Sequence, residues 1–347
     1  MFRPDLAVKH LRRCDERCLD CARHEVEPGD DITWISCQIF RKFMIIRTPK
    51  QSEHARAKNF VDSIDGCSID ASIPDCNDPE RFRRTLVAES RDQIVGVGAI
   101  SCNWLHPARL TLDVFVAPDD RREGIGTALL DQLVAAIPSG DARSLKAAGW
   151  SDDEASVAFW RNHRFTPIMR TDIGTLDDTQ ASSIATIEVI PDGIAIVSGE
   201  QIPLSDSLWD DIAHLHERIY RANHEWSPPR SIDLSLARRI FLDPDDLIPD
   251  VQLVAMRNGA PFAVASLRAL TSDGACELGW AGGNPGSGEE GFRAARMLVA
   301  RCLTLARERG WTVDFEADRS DPVLRGVVEE WSLTDHRIWV NYSRGEP

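Results

Sequence analysis

Apolar and polar positions along the chain follow two rhythms, and the order in which these rhythms appear repeats. The run FMIIRTP (43–49) has strand character, and Ala57, Phe60, Val61 and Ile64 then mark one helical face at i, i+3, i+4, i+7. LVAESRDQIVGVGAIS (86–101) is a pair of apolar runs around a polar turn, which predicts a β-hairpin. ARLTLDVFV reads as a strand and TALLDQLVAAI as a helix stopped by Pro138 and Gly140. RSLKAAGW follows as a strand and DEASVAFWRNHRF as a closing helix.

The second half repeats this order. VQLVAMRNGAPFAVASL (251–267) is again a hairpin, its turn marked by Asn258-Gly259, a strong type I′ signal. With the two hairpins aligned, Pro118 falls on Pro285 and Gly124 on Gly291. EEGFRAARMLVARCLTLARERG then predicts a long helix ending at Gly310, WTVDFEA a strand and DPVLRGVVEEW a helix. The expectation is an α/β fold with a mixed sheet in two tandem domains, residues 41–175 and 185–347, behind an extension of residues 1–40. DIGTLDDTQASS, from residue 172, reads as polar linker. In HLHERIYRANHEW (214–226), His216, Tyr220 and His224 recur at i, i+4 steps, which suits either a helix covering the second sheet or the wall of a pocket.

Composition narrows the function. The 347 residues are 43% hydrophobic and 7% aromatic, enough for two packed cores. A net charge of −15 argues against binding nucleic acid and favours cationic partners. No apolar run is long enough for a membrane span, and the charged start MFRPDLAVKHLRRCDERC lacks a signal-peptide core, so a cytoplasmic protein with no membrane partner is expected. The nine cysteines are scattered and odd in number, which suits reduced thiols. Cys14, Cys18 and Cys21, with His10, His24 and Cys37 nearby, have spacing that could hold iron–sulfur or zinc. The pattern after them is not that of a barrel enzyme, so ordinary thiols and no metal are expected.

The stretch VAPDDRREGIGTALL (116–130) carries the chemistry. A glycine-bearing turn between a strand and a helix exposes backbone N–H groups that no helical carbonyl accepts, and such a nest binds phosphate. Gly124 and Gly126 allow close approach, Arg121 and Arg122 add charge, and Pro118 ends the strand ladder. No Gly-Lys-Ser/Thr closes the turn, so it is not a P-loop, and it lacks the three spaced glycines of a dinucleotide fingerprint.

Val116-x-Pro118-x-x-Arg121-x-x-Gly124-x-Gly126-x-x-Leu129-Leu130 resembles the acetyl-coenzyme A signature of the GNAT superfamily of N-acetyltransferases. FWRNHRF is similar to that family's closing segment. The resemblance covers residues 43–175 and, with more departures, 200–347. It implies tandem GNAT-like domains, the first holding acetyl-CoA. The amides of Arg122, Glu123, Gly124, Ile125, Gly126 and Thr127 would lie on the pyrophosphate, with the Arg121 and Arg122 side chains adding charge and the strand backbone of Val114 and Val116 along the pantetheine arm. In the second copy Gly288 and Glu289 replace the arginines and Arg293 replaces the second glycine.

Transfer to an amine needs a base, and Asp113 on the strand and Glu89 on the hairpin are the candidates. The tyrosine that the family often uses to protonate the departing thiolate is replaced by Trp160, which leaves solvent, His163, Ser156 or Tyr342 to supply that proton. The expected activity is acetyl transfer from acetyl-CoA to a primary amine of a small molecule by direct attack, with a homodimer compatible. The alternative is a non-catalytic acyl-CoA binder of the same fold.

Overall fold

The computed structural model describes residues 33–35, 44–64, 75–176, 192–203, 207–269, 274–331 and 333–345. Cys14, Cys18, Cys21 and Cys37 lie outside them. The chain divides into two compact units, one of Met1–Gly149, Trp160–Thr166 and Tyr342–Pro347, the other of Trp150–Phe159 and Pro167–Asn341.

In the first unit six strands lie side by side in chain order: β1 (Thr33–Ile35), β2 (Met44–Arg47), β3 (Arg83–Ser90), β4 (Gln93–Cys102), β5 (Arg109–Val116) and β6 (Ser144–Trp150). All neighbours are antiparallel except β5 and β6. The β3–β4 turn places Arg91 and Asp92 at φ 52° and 60°, the type I′ geometry whose twist matches the strands. Alternation along β4 then assigns the two faces. Val97 and Ala99 pack with Ala57 and Val61 of α1 (His54–Asp62), all fully or almost fully buried. Gly96 and Gly98 point the other way, beneath Ile125, Leu129 and Leu133 of α2 (Ile125–Ala135), where a Cβ on Gly98 would stand 2.8 Å from Leu133 Cδ1. These glycines let the helix settle on the sheet. The closing helix, α3, spans Glu154–Asn162, of which Trp160–Asn162 belong to this unit and Glu154–Phe159 to the second.

The second unit holds β7 (Thr166–Leu176), β8 (Ile194–Ser198), β9 (Leu247–Arg257), β10 (Ala260–Ala269), β11 (Ala275–Leu278), β12 (Gly282–Gly283), β13 (Thr312–Asp318) and β14 (Thr334–Arg344). Their order is β14-β7-β13-β11-β10-β9-β8, with β12 also on β10. Asn258 and Gly259 form the β9–β10 turn at φ 52° and 80°. The helices are α4 (Leu208–Asn223), α5 (Leu234–Phe241), α6 (Gly288–Glu308) and α7 (Pro322–Glu330). Leu298, Cys302, Leu303 and Ala306 of α6 bury against Leu253, Ala263, Ala265 and Phe315 of the sheet. Asp321 caps α7 by accepting from the N–H groups of Val323 and Leu324, and Pro322 takes the first helical position, where no N–H is needed.

Both units thus carry the mixed α/β order read from the sequence. The difference lies at residue 172, where strand β7 continues to Leu176. Its polar residues have cross-strand partners: Thr171 Oγ1 donates to Asp318 Oδ1 (2.5 Å), Thr175 Oγ1 to Asp314 Oδ1 (3.2 Å), and Asp172 pairs with Arg319 and His336 (both 2.9 Å). Polarity that read as linker is the solvated alternative to a ladder that only a distant strand supplies. Among the described residues no helix is long and apolar enough to cross a membrane.

Candidate functional site

The site begins where two parallel strands part. β5 and β6 pair over three residues, from Arg109 with Ser144 to Thr111 with Lys146, although β5 runs on to Val116. Ala117 N–H donates to Val95 O (2.9 Å) on the β4 side. Backbone groups alternate edges along a strand, so those of Val114 and Val116 point to the edge that β6 has left. Val116 O accepts there from Arg121 Nε (3.2 Å). This open edge suits a ligand that pairs as a strand does, such as the amide-bearing arm of coenzyme A.

The edge runs straight into the turn. Pro118–Asp120 makes one tight turn, Arg122 adopts φ 68°, and Gly124, at φ 82°, enters α2 from the left-handed region. The first intrahelical bond is Ala128 N–H to Gly124 O (3.0 Å), so the N–H groups of Ile125, Gly126 and Thr127 have no acceptor in the helix. Arg121, Arg122, Glu123, Gly124 and Thr127 are exposed. A Cβ built on Gly124 meets nothing within 4 Å. Outward amides, two guanidinium groups, a helix N-terminus and open space together fit a pyrophosphate. His163 Nε2 lies 3.2 Å from Thr127 Oγ1, and burial lowers the pKa of this imidazole.

Asp113 stands opposite Ala99, two residues beyond the last β5–β6 pair, at the mouth of the gap. It is half-buried, and burial raises its pKa to about 6 against the opposing charges of Arg83 and Lys146. Glu89 lies elsewhere. Its Oε2 is 2.5 Å from Arg47 Nη2, and Arg47 also holds Glu53 Oε2 at 2.6 Å, which ties β2 and β3 to the turn before α1. Ala99 faces Thr85 of β3, so Glu89 stands four residues farther along, about 13 Å at roughly 3.3 Å per residue. Asp113 and the loop are brought together with Val114 and Val116; Glu89 is not. The sequence reading missed Lys146, although a lysine as the sole charge in the strand SLKAAGW was a visible signal. Trp160 is buried against the Phe165 ring (5.0 Å) and fills core.

The corresponding turn in the second unit is closed. Gly283 lies so close to Gly291 that a Cβ on Gly283 would stand 2.4 Å from the Gly291 carbonyl oxygen, and Arg257 Nη1 holds Glu290 Oε2 at 2.8 Å. Because backbone meets backbone, Gly283→Ala should destabilise the protein by about 1–3 kcal/mol. A thermal melt checks this, and Gly124→Ala, with nothing to strike, should cost only the roughly 1–2 kcal/mol of left-handed backbone.

Residues 81–167 match the model of the acetyltransferase (GNAT) domain. Among solved structures, the chain is similar to a GCN5-related N-acetyltransferase from Sphaerobacter thermophilus, with a TM-score of 0.57, 14% identity, and coverage of 87% of this chain and 95% of that one. It is similar also to a tandem GNAT protein from the clavulanic acid biosynthesis pathway, with a TM-score of 0.55, 16% identity and coverage of 91% and 98%. A third likeness is to the GCN5-related glucosamine N-acetyltransferase region of a fungal multi-domain β-N-acetylglucosaminidase, with a TM-score of 0.55 and 15% identity. There the match covers 88% of this chain but 38% of that one. No curated protein matches the chain. The family's chemistry is acyl transfer from acyl-CoA. Residues 81–167 thus match the GNAT acetyltransferase domain, in a chain whose mixed α/β fold is similar to that of solved GNAT acetyltransferases.

Proposed function

We propose that the first unit transfers an acetyl group from acetyl-CoA to a primary amine of a small molecule by direct attack. The observation that carries this reading is the unpaired edge of β5 running from Asp113 into a cationic, amide-bearing helix start. Val114 and Val116 would hold the pantetheine arm by backbone pairing, and the amides from Arg122 to Thr127 would hold the pyrophosphate. Bound there, the thioester supplies an activated acyl carbonyl.

Asp113 takes the proton from the incoming ammonium, directly or through one water, and its raised pKa makes it a better base than an ordinary carboxylate. Lys146 and Arg83 limit that rise and keep Asp113 ionised at neutral pH. His163 sits beside Thr127, at the pyrophosphate end of the gap, and its lowered pKa disfavours the charged acid form. The departing thiolate therefore takes its proton from solvent in this reading. The acidic chain, at −15, suits a cationic acceptor.

Thiol release from acetyl-CoA over a panel of small amines, measured against the amine-free background, tests the proposal. Amine-dependent release at saturating acetyl-CoA is expected. Tight acetyl-CoA binding without any amine-dependent release would instead make the chain a non-catalytic binder.

A further inference from the structure

The last residues of β14, from Tyr342 on, belong to the first unit, as does the segment Trp160–Thr166 at the end of α3. Tyr342 and Ser343 are buried there, and Ser343 O accepts from Thr166 Oγ1 (3.4 Å). Gly345 lies against the start of β6, where a Cβ on it would stand 3.6 Å from Ser144 Cβ. Between them Arg344 makes two contacts with one short segment. Its Nη1 donates to the His163 carbonyl (3.4 Å), and its guanidinium stands 5.0 Å over the centre of the Phe165 ring.

That segment is a turn with a strained centre. Arg164 N–H donates to Arg161 O (3.0 Å) and Phe165 N–H to Trp160 O (2.9 Å), the paired bonds that close a helix through one left-handed residue. The left-handed residue is Arg164, at φ 64°, a conformation that glycine adopts without a Cβ clash and arginine does not. The residues on both sides hold it there. Phe165 is buried against Trp160 and beneath Arg344, and the His163 carbonyl receives the same guanidinium.

The turn sends His163 to the loop that opens α2. Its Nε2 lies 3.2 Å from Oγ1 of Thr127, the third residue of that helix, whose own N–H has no helical acceptor. Asp131 stands one turn farther along α2, and its charge reaches both His163 and Arg344, which sets the pair on one flank of the helix start. Burial lowers the His163 pKa below its ordinary value, so the ring is neutral at pH 7. In the tautomer protonated at Nε2 it donates to Thr127 Oγ1, and the hydroxyl hydrogen then turns outward, toward an anion at the helix start.

We propose that His163 is a positioning residue for acetyl-CoA, orienting the Thr127 hydroxyl toward the pyrophosphate, and that Arg344 of β14 holds His163 in place. The proposal rests on the acetyl-CoA reading of the loop and extends it from backbone amides to a directed side-chain donor. A hydrogen bond to a charged phosphate oxygen is of the strong kind, so the direction in which the hydroxyl points is worth fixing. Arg344 acts through His163 and not on the coenzyme itself.

Calorimetric titration of the full-length protein with acetyl-CoA tests this. His163→Ala and Thr127→Val should each weaken binding about tenfold. The double variant should bind no more weakly than Thr127→Val alone, because the imidazole works through the hydroxyl. Arg344→Ala should weaken binding about threefold or more, and should add nothing once His163 is alanine. S-acetylpantetheine, which lacks the pyrophosphate, separates positioning from a structural role. Its affinity, read by displacement of acetyl-CoA, should be the same in the wild type and in His163→Ala, whereas a disordered loop would weaken both ligands. Circular dichroism confirms that each variant is folded. Unaltered acetyl-CoA affinity in folded His163→Ala or Arg344→Ala, additive losses in the double variant, or an equal loss for S-acetylpantetheine would overturn the proposal while leaving the transferase reading intact. A wild-type protein that binds no acetyl-CoA would overturn both.

Discussion

Acetyl-CoA affinity is expected to fall about a hundredfold or more in Gly124→Val, and similarly in Gly126→Val. At Gly124 the cause is the backbone, because φ 82° is a conformation that a β-branched residue resists and no neighbour obstructs the new side chain. The turn must therefore rotate, which takes the amides of Ile125 to Thr127 off the phosphate oxygens. Losing two charge-assisted hydrogen bonds at roughly 1.5–3 kcal/mol each gives that factor. Arg121→Ala should cost less, since its exposed charge is screened, although it also releases the Val116 carbonyl. The matched control is Arg293→Ala, at the position corresponding to Gly126, which should leave affinity unchanged. Gly291 cannot serve as a control, for a Cβ there would stand 1.8 Å from Ser287 Oγ. Calorimetric titration with acetyl-CoA decides the matter: unchanged affinity in folded Gly124→Val would place the cofactor elsewhere.

Asp113→Asn should lower kcat/KM by about 10²–10⁴, the range supplied by a positioned general base. It should also flatten the pH profile. The working form is the carboxylate, so with a pKa of about 6 the wild-type rate should fall roughly tenfold per pH unit below pH 6, and the variant should lose that limb. Stability moves the other way. A carboxylate whose pKa is raised on folding costs stability as pH climbs from its ordinary value through about 6, so Asn at this position should be no less stable than Asp at pH 8. Lost activity with an unchanged or higher Tm is thus the expected pair. Glu89→Gln should show the reverse, about 1 kcal/mol or less of destabilisation from a partly exposed ion pair and little change in rate. Should Asp113→Asn turn over at the wild-type rate, the base lies elsewhere.

The sequence was most legible where one period ran unbroken. Leu129, Leu130 and Leu133 announce the buried stripe of α2, and Asn258-Gly259 announces a type I′ turn, because both signals are local. The glycines and arginines of the loop were legible for the same reason. What escaped was set by distant partners. β7 looked polar because its threonines wait for Asp314 and Asp318. Glu89 looked like a base because nothing near it in the chain shows that Arg47 faces it. His216, Tyr220 and His224 were visible as one face of one helix, but that His216 and Tyr220 bury against Phe241 was not, because Phe241 lies on the next helix.

The pairing of β7 with β13 governs the order in which the chain can be completed. When Thr175 leaves the ribosome, Asp314 is still 139 residues from leaving it, about 7 to 30 s at roughly 5–20 residues per second. Throughout that interval a β-branched segment, Thr171, Ile173 and Thr175, offers a free edge to any passing strand. Asp172, set among them, carries a charge that a dry intermolecular zipper would have to bury without a counter-ion. The same carboxylate later receives Arg319 and His336 from the far end of the chain, so one residue guards the nascent strand and afterwards fastens it.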